Sequence, residues 1–188
     1  HHIRRPLRVL DLYSGTKSVG KAVRSLFPNA KIVTVDIDAE FSPTHIEDIQ
    51  HWNPLEKYKK HYFDFIWASP PCTEYSFSKT QGERDLQIAD QRVQAALRII
   101  EVMQPKMWVL ENPVGHLAKR QIMQLYENLK HTTTYCCYGA KYRKATNIWT
   151  NAPVVLKNCI DQPCSQKADT GRHTHTAQQG PHKFADGT

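Results

Sequence analysis

The sequence predicts an α/β protein built on a doubly wound, mostly parallel sheet. Three observations carry that expectation. Short β-branched or aromatic runs alternate with helical periodicities, a polar or special residue follows each run directly, and the alternation fades near Ala152. Arg8 to Ser14 (RVLDLYS) is an apolar run ending in a Ser-Gly turn, and Val19, Ala22, Val23 and Leu26 then recur at helical intervals within Ser18 to Leu26. Lys31 to Asp38 (KIVTVDID) is a second strand that closes on two acids. Phe63 to Ser69 is another, stopped by Pro70-Pro71. Leu86, Ala89, Val93, Ala96, Leu97, Ile100 and Met103 repeat at three and four, the clearest amphipathic helix in the chain, and Pro105 closes it. Met107 to Leu110 reads as a buried strand before Glu111-Asn112-Pro113. Ile122, Leu125, Tyr126 and Leu129 mark a further helix, and Thr132 to Tyr138 and Asn147 to Thr150 read as the last two strands.

Composition bounds what such a chain can be. Its 188 residues suit one domain, or one domain with a small appendage, and 40% hydrophobic with 23% charged residues is enough to bury a core. Lys and Arg exceed Asp and Glu by 25 to 18, giving a formal charge of +7, which permits a polyanionic partner such as nucleic acid. No apolar run approaches the roughly 18 residues of a membrane span, and the basic start of the chain does not read as a secretory signal, so an intracellular setting is expected. The five cysteines are odd in number and uneven in placement. Cys72 stands alone, while Cys136, Cys137, Cys159 and Cys164 share the last third with His173, His175 and His182. That is the distribution of a reactive thiol and a metal site in a reducing compartment, and a disulfide scaffold would look different.

In doubly wound sheets, ligands bind outside the carboxyl ends of the strands. That rule selects Asp11 to Gly15, Asp36 to Asp38, Ser69 to Cys72 and Glu111 to Pro113. The first loop offers small residues and a helix N-terminus, but Lys17 or Ser18 sits where a dinucleotide loop needs its middle glycine. Asp36 ends the second strand, where a carboxylate accepts the hydroxyls of a ribose, so a nucleoside-type cofactor is favoured over an ordinary strand-to-helix turn. Two prolines stiffen the turn that presents Cys72, and a thiolate is the most nucleophilic side chain near neutral pH. The alternative is a buried, inert cysteine. Glu111 is a candidate acid or hydrogen-bond partner facing the same cleft, or else half of a helix-capping Glu-Asn pair. Lys141, Arg143 and Lys144 are candidates to contact phosphate or the reacting base, or else form a solvated basic edge.

Asp-Leu-Tyr-Ser-Gly, Asp36, Pro-Pro-Cys with Ser76 downstream, Glu-Asn and a late basic segment stand in one order along the chain. In that order they resemble the DNA cytosine carbon-5 methyltransferases. The short members from phages and large DNA viruses are the most similar, with Glu-Asn-Pro and a Tyr-Arg-Lys-x-Thr-x-x-Trp-Thr-Asn stretch, here Tyr142 to Asn151. The resemblance implies a Rossmann-like fold that binds S-adenosylmethionine, with Asp11, Tyr13, Ser14, Gly15, Val19, Asp36, Ile37, Asp48 and Pro70 around the cofactor. It implies Cys72 as nucleophile at carbon 6, Glu111 at ring nitrogen 3 and the exocyclic amine, and Arg143 holding a flipped pyrimidine. Ser76, Lys141, Arg143 and Lys144 would lie along the DNA. Lys17 and Thr73 depart from the family pattern. Roughly 37 residues follow Asn151, fewer than the family's target-recognition region occupies, so sequence preference is expected to be short, relaxed or supplied by a partner or a second copy. An RNA cytosine methyltransferase and a catalytically silent nucleic-acid-binding module are the alternatives.

Residues 3–151 are thus expected to form the catalytic unit and 152–188 a C-terminal segment. The latter lacks apolar periodicity and needs a staple, which metal binding can provide. Cys137, Cys159, Cys164 and His173, separated by 21, 4 and 8 residues, are the expected structural Zn2+ ligands, with His175 or Cys136 as substitutes. Similar placements in the short viral relatives support that set.

Overall fold

The computed structural model describes residues 5–159, 164, 166 and 173. Seven strands form one sheet: β1 (Arg8–Leu12), β2 (Lys31–Asp36), β3 (His45–Ile46), β4 (Phe65–Ala68), β5 (Met107–Pro113), β6 (Lys130–Thr134) and β7 (Ala145–Thr150). Their order is β3-β2-β1-β4-β5-β7-β6. The first five run parallel, while β7 is antiparallel to both β5 and β6. The expected doubly wound, mostly parallel sheet is present, and its strand order reverses between β1 and β4, the usual place for a ligand cleft.

The two α-helices among the described residues lie on opposite faces of the sheet. Leu10, Leu12, Val35, Ile66, Ala68, Trp108, Leu110 and Trp149 form one layer of the core, and α2 (Leu86–Met103) packs on it through Ala89, Val93, Ala96 and Ile100. Asp85 starts this helix by accepting the Ile88 N–H at 2.9 Å. Gln104, in the left-handed conformation, ends it. The other helix, α1 (Ser18–Leu26), sets Gly20 against Ile32 on the opposite face, where a Cβ would lie 3.4 Å from the Ile32 Cγ2.

Several expected boundaries shift. Strands β1 and β2 stop at Leu12 and Asp36 because the following loop turns back on itself: the Gly15 N–H donates to Asp36 at 2.8 Å. β5 runs on through Glu111-Asn112-Pro113, because those residues pair with Ile148, Asn147 and Thr146 of β7. Glu111 and Asn112 are therefore strand residues and not a helix cap. The segment Gln121–Leu129 is a 3-10 helix where an α-helix was expected. The expected strand Thr132 to Tyr138 divides into β6 and a 3-10 turn, Tyr135–Tyr138. β3 is only two residues long, and they pair with Val35 and Asp36.

Candidate active site and cysteine–histidine cluster

The loop after β1 is shaped by backbone conformation. Tyr13, Gly15 and Lys17 all have positive φ, at 59°, 44° and 60°. Two non-glycine residues held there cost of order 1–3 kcal/mol each, and such strain concentrates at functional loops. Tyr13 is anchored through its hydroxyl to the Arg92 carbonyl at 2.8 Å. Lys17 swings away to the Ser42 carbonyl at 2.6 Å, so its departure from a small residue does not crowd the loop.

Beside this loop lies a cleft of about 350 Å³, whose lining includes Tyr13, Asp36, Ile37, Asp48, Ser69 and Arg92. The Asp36 carboxylate accepts the Gly15 and Asp38 N–H groups at 2.8 and 3.0 Å, which orients it while leaving lone pairs for a ligand. Ile37 is 69% exposed and offers an apolar surface at the same rim. Asp11 Oδ2 and Ser14 Oγ are buried without a hydrogen-bond partner among the described residues. Burial, then the charge of Asp36, pushes the Asp11 carboxyl up to about 7. A nucleoside-sized volume, an oriented carboxylate, an apolar shelf and orphaned polar atoms fit an S-adenosylmethionine-type cofactor. Of the expected cofactor residues, Tyr13, Asp36, Ile37 and Asp48 line this cleft, whereas Asp11, Ser14, Gly15, Val19 and Pro70 do not. Val19 lies in the first turn of α1, while Pro70 is buried beneath the cleft edge and Pro71 lines it. Arg92 escaped sequence reasoning, because on an amphipathic helix it reads as an ordinary solvent-facing residue.

Cys72 sits at the adjoining edge. The Asn112 side-chain amide, fully buried, donates to the Pro70 carbonyl at 3.0 Å and ties the Pro-Pro-Cys turn to β5. The Cys72 carbonyl accepts the Tyr75 and Ser76 N–H groups, both at 3.0 Å, making a tight turn. Buried Tyr75 then fixes that turn from below, since its hydroxyl donates to Asp90 at 2.7 Å and Asp90 pairs with Arg120. Ser76 bridges Gly115 and accepts the Ser78 N–H through its hydroxyl, so it shapes the loop itself.

Glu111 reaches the same edge from β5. Burial pushes its carboxyl up, against the opposing effects of the Lys144 charge and of hydrogen bonds from Ser69 and Tyr135. Ser69 also accepts the Trp67 indole N–H at 2.6 Å, so the hydroxyl that meets Glu111 is itself oriented. Burial likewise raises the Cys72 thiol, which Lys144 lowers and Glu111 raises. Lys144, half-buried with its ammonium 5.1 Å from the Tyr135 ring centroid, is thus the cation whose field reaches both groups. Arg143 and Lys141 are exposed at the rim. Arg143, expected at the reacting base, is exposed here, while its neighbour Lys144 is half-buried.

The second cluster lies behind β6. The ligand atoms of Cys136, Cys159, Cys164 and His173 all fall within 4.8 Å of one another. Tetrahedral zinc with Zn–S near 2.3 Å spaces its sulfurs about 3.8 Å apart, so three thiols and an imidazole at this spacing fit Zn2+. Of the two adjacent cysteines, the expected Cys137 and its substitute Cys136, it is Cys136 whose sulfur joins this cluster. In the 3-10 turn Tyr135–Tyr138, Cys136 faces inward and is 3% exposed, whereas Cys137 turns to Thr134, its sulfur 3.4 Å from the hydroxyl. His175 and His182 lie outside the described residues, as does most of 152–188.

A thiol and a buried carboxyl beside a nucleoside-sized cleft, at the switch point of a doubly wound sheet, are an arrangement suited to group transfer from a nucleoside-type cofactor. The model of the C-5 cytosine-specific DNA methylase family matches residues 37–146. The chain is 30% identical over 175 residues to the DNA (cytosine-5)-methyltransferase of frog virus 3, covering 86% of this chain and 76% of that protein. It is 29% identical over 125 residues to the human tRNA (cytosine(38)-C(5))-methyltransferase, covering 58% of this chain and 31% of that protein. Among solved structures, a DNA modification methyltransferase encoded within an E. coli prophage superposes with a TM-score of 0.55 at 22% identity, covering 77% of this chain and 46% of that one. The Entamoeba histolytica methyltransferase EhMeth gives 0.59 at 14% identity, covering 82% and 57%. At these identities the structural likeness bears on the fold alone. The chain belongs to the C-5 cytosine-specific DNA methylase family. It spans about a third of the tRNA methyltransferases it matches and about half of the two solved chains.

Proposed function

We propose that this protein transfers a methyl group from S-adenosylmethionine to carbon 5 of cytosine in DNA, through a transient bond between the Cys72 sulfur and carbon 6. The observation that carries the reading is the convergence of Cys72, Glu111 and Lys144 at one sheet edge, next to the cleft bordered by Asp36. Lys144 favours the Cys72 thiolate, which adds to carbon 6. The electron pair released from the 5,6 double bond makes carbon 5 nucleophilic. Glu111, whose carboxyl burial pushes up, donates from its protonated form to ring nitrogen 3 and stabilises the charge that develops there. Bound S-adenosylmethionine supplies an electrophilic methyl group. Carbon 5 would take that methyl group, leaving the cofactor sulfur as a neutral thioether; loss of the carbon 5 proton to water then re-forms the 5,6 double bond and expels Cys72 as thiolate. A cytosine inside a duplex is out of reach of this edge, so the base is extruded at a cost of a few kcal/mol. Arg143, Lys141 and Ser76 line the rim where the DNA backbone passes.

Residues 3–151 serve as the catalytic unit and 152–188 as a segment stapled by zinc on Cys136, Cys159, Cys164 and His173. The site of action is intracellular, where thiols stay reduced; among the described residues, no helix is long and apolar enough to cross a membrane. A specificity partner or second copy supplies any extended sequence preference. An RNA substrate is the second reading, favoured by the tRNA methyltransferase relatives.

Labelled S-adenosylmethionine offered with DNA and with tRNA separates the two substrates. Methyl incorporation into DNA cytosine, abolished by Cys72→Ser, together with a covalent adduct to 5-fluorocytosine DNA, is the expected result. Turnover by Cys72→Ser would remove the thiol from the mechanism. Zinc is expected to be retained by Cys137→Ser and lost from Cys136→Ser.

A further inference from the structure

The metal cluster and the active edge share one turn. Tyr135 and Cys136 are adjacent, yet they serve different sites. The Tyr135 hydroxyl lies 3.5 Å from Glu111 Oε1, while the Cys136 sulfur belongs to the Cys/His cluster. The Tyr135 ring sits under the Lys144 ammonium, and its backbone N–H donates to the Lys144 carbonyl at 3.2 Å. One aromatic side chain thus touches both groups whose charges act on Cys72.

The far side of the turn is held by the segment that carries the other ligands. The Cys159 N–H donates to the Thr134 hydroxyl at 2.8 Å, the Thr133 hydroxyl to the Lys157 carbonyl at 2.7 Å, and the Lys157 N–H to the Tyr138 hydroxyl at 2.8 Å. Of the apolar residues of this segment, Val155 is 96% exposed, while Val154 and Leu156 are half-buried. A four-residue 3-10 turn has poor hydrogen-bond geometry and little stability of its own. Its phase therefore depends on what grips Cys136.

We propose that the metal clamp on Cys136, Cys159, Cys164 and His173 sets the active-site geometry, with Tyr135 as the positioning residue that transmits it to Glu111 and Lys144. The proposal rests on the zinc reading of the cluster. Fixing Cys136 fixes Tyr135 one peptide unit away, and a misplacement of about 1 Å at a reacting group costs about a hundredfold in rate.

The test uses the full chain, natively purified, with zinc counted by mass spectrometry. Hydrogen exchange and methyl-transfer kinetics are then measured before and after chelation, and for Tyr135→Phe. Chelation is expected to remove one zinc per chain and to speed amide exchange across residues 130–150 by about tenfold or more, with α2 unchanged. It is expected to lower kcat while the KM for S-adenosylmethionine stays within about twofold. Tyr135→Phe is expected to keep its zinc and its slow exchange, yet to lose about tenfold in kcat, and chelating that variant adds little further loss. Wild-type kcat in Tyr135→Phe overturns the positioning role. Zinc that leaves without changing exchange in 130–150, or that takes α2 with it, overturns the local clamp. Absence of zinc from the native protein overturns the metal reading itself and is recognised by that count alone.

Discussion

Gly115 follows β5 and faces the loop that carries Cys72. Its φ of −177° is extended backbone open to any residue, so its glycine character has another cause. A Cβ placed there falls on the Tyr75 carbonyl, with the Tyr75 carbonyl carbon at 3.1 Å. The obstacle is backbone and has no rotamer to yield. Tyr75 itself is fully buried and held by Asp90, and its carbonyl accepts the His116 N–H at 2.9 Å. Gly115→Ala must therefore push the two segments apart. Overpacking of this kind costs about 1–3 kcal/mol, and loss of the His116 bond adds about 1 kcal/mol. The sum, about 2–4 kcal/mol, lowers Tm by roughly 5–15 °C for a chain of this size. Tyr75 lies three residues beyond Cys72 and binds its carbonyl, so the nucleophile shifts with the loop, and turnover falls about a hundredfold. Scanning calorimetry reads the stability, and the 5-fluorocytosine adduct rate reads the nucleophile. Wild-type Tm and adduct rate in Gly115→Ala would refute the close-approach argument.

Two further substitutions probe the charges. Lys144→Met removes the cation that lowers Cys72, so the rise of kcat/KM with pH moves upward and the neutral-pH rate falls about tenfold for each unit of displacement. Arg143→Met, at the exposed rim, is expected to weaken DNA binding and flatten its salt dependence while leaving that rise in place; the reverse pattern would return the inner role to Arg143. Asp11 tests linkage. Its folded value of about 7 lies above the ordinary 3.8, so the folded state holds the extra proton and stability drains away as pH rises between those values, with an upper limit of about 4 kcal/mol. Asp11→Asn should thus gain little stability near pH 4 and most of its gain above pH 7 by urea unfolding. A gain independent of pH would show that burial does not perturb this carboxyl.

Order along the chain made much of the site legible. Asp36, Cys72 and Glu111 each follow or end an apolar run, and a doubly wound sheet brings such positions to one edge whatever the details of packing. The strand periodicities, the main helix and the family pattern are local properties of the chain, and local patterns survive in the sequence.

Contacts between distant segments were legible only in the fold. Adjacent residues point to different sides of a turn, so spacing does not tell Cys136 from Cys137, or Lys144 from Arg143, until the pairing of β6 with β7 sets the phase. The continuation of β5 through Glu111 depends on β7, more than thirty residues later. The need for glycine at 115 comes from a carbonyl forty residues earlier. The sequence by itself determined which chemical groups the protein has and which sheet edge they reach. The tertiary structure decided which neighbour of each pair faces inward, because side-chain direction is set by long-range hydrogen-bond register, which no short stretch of sequence contains.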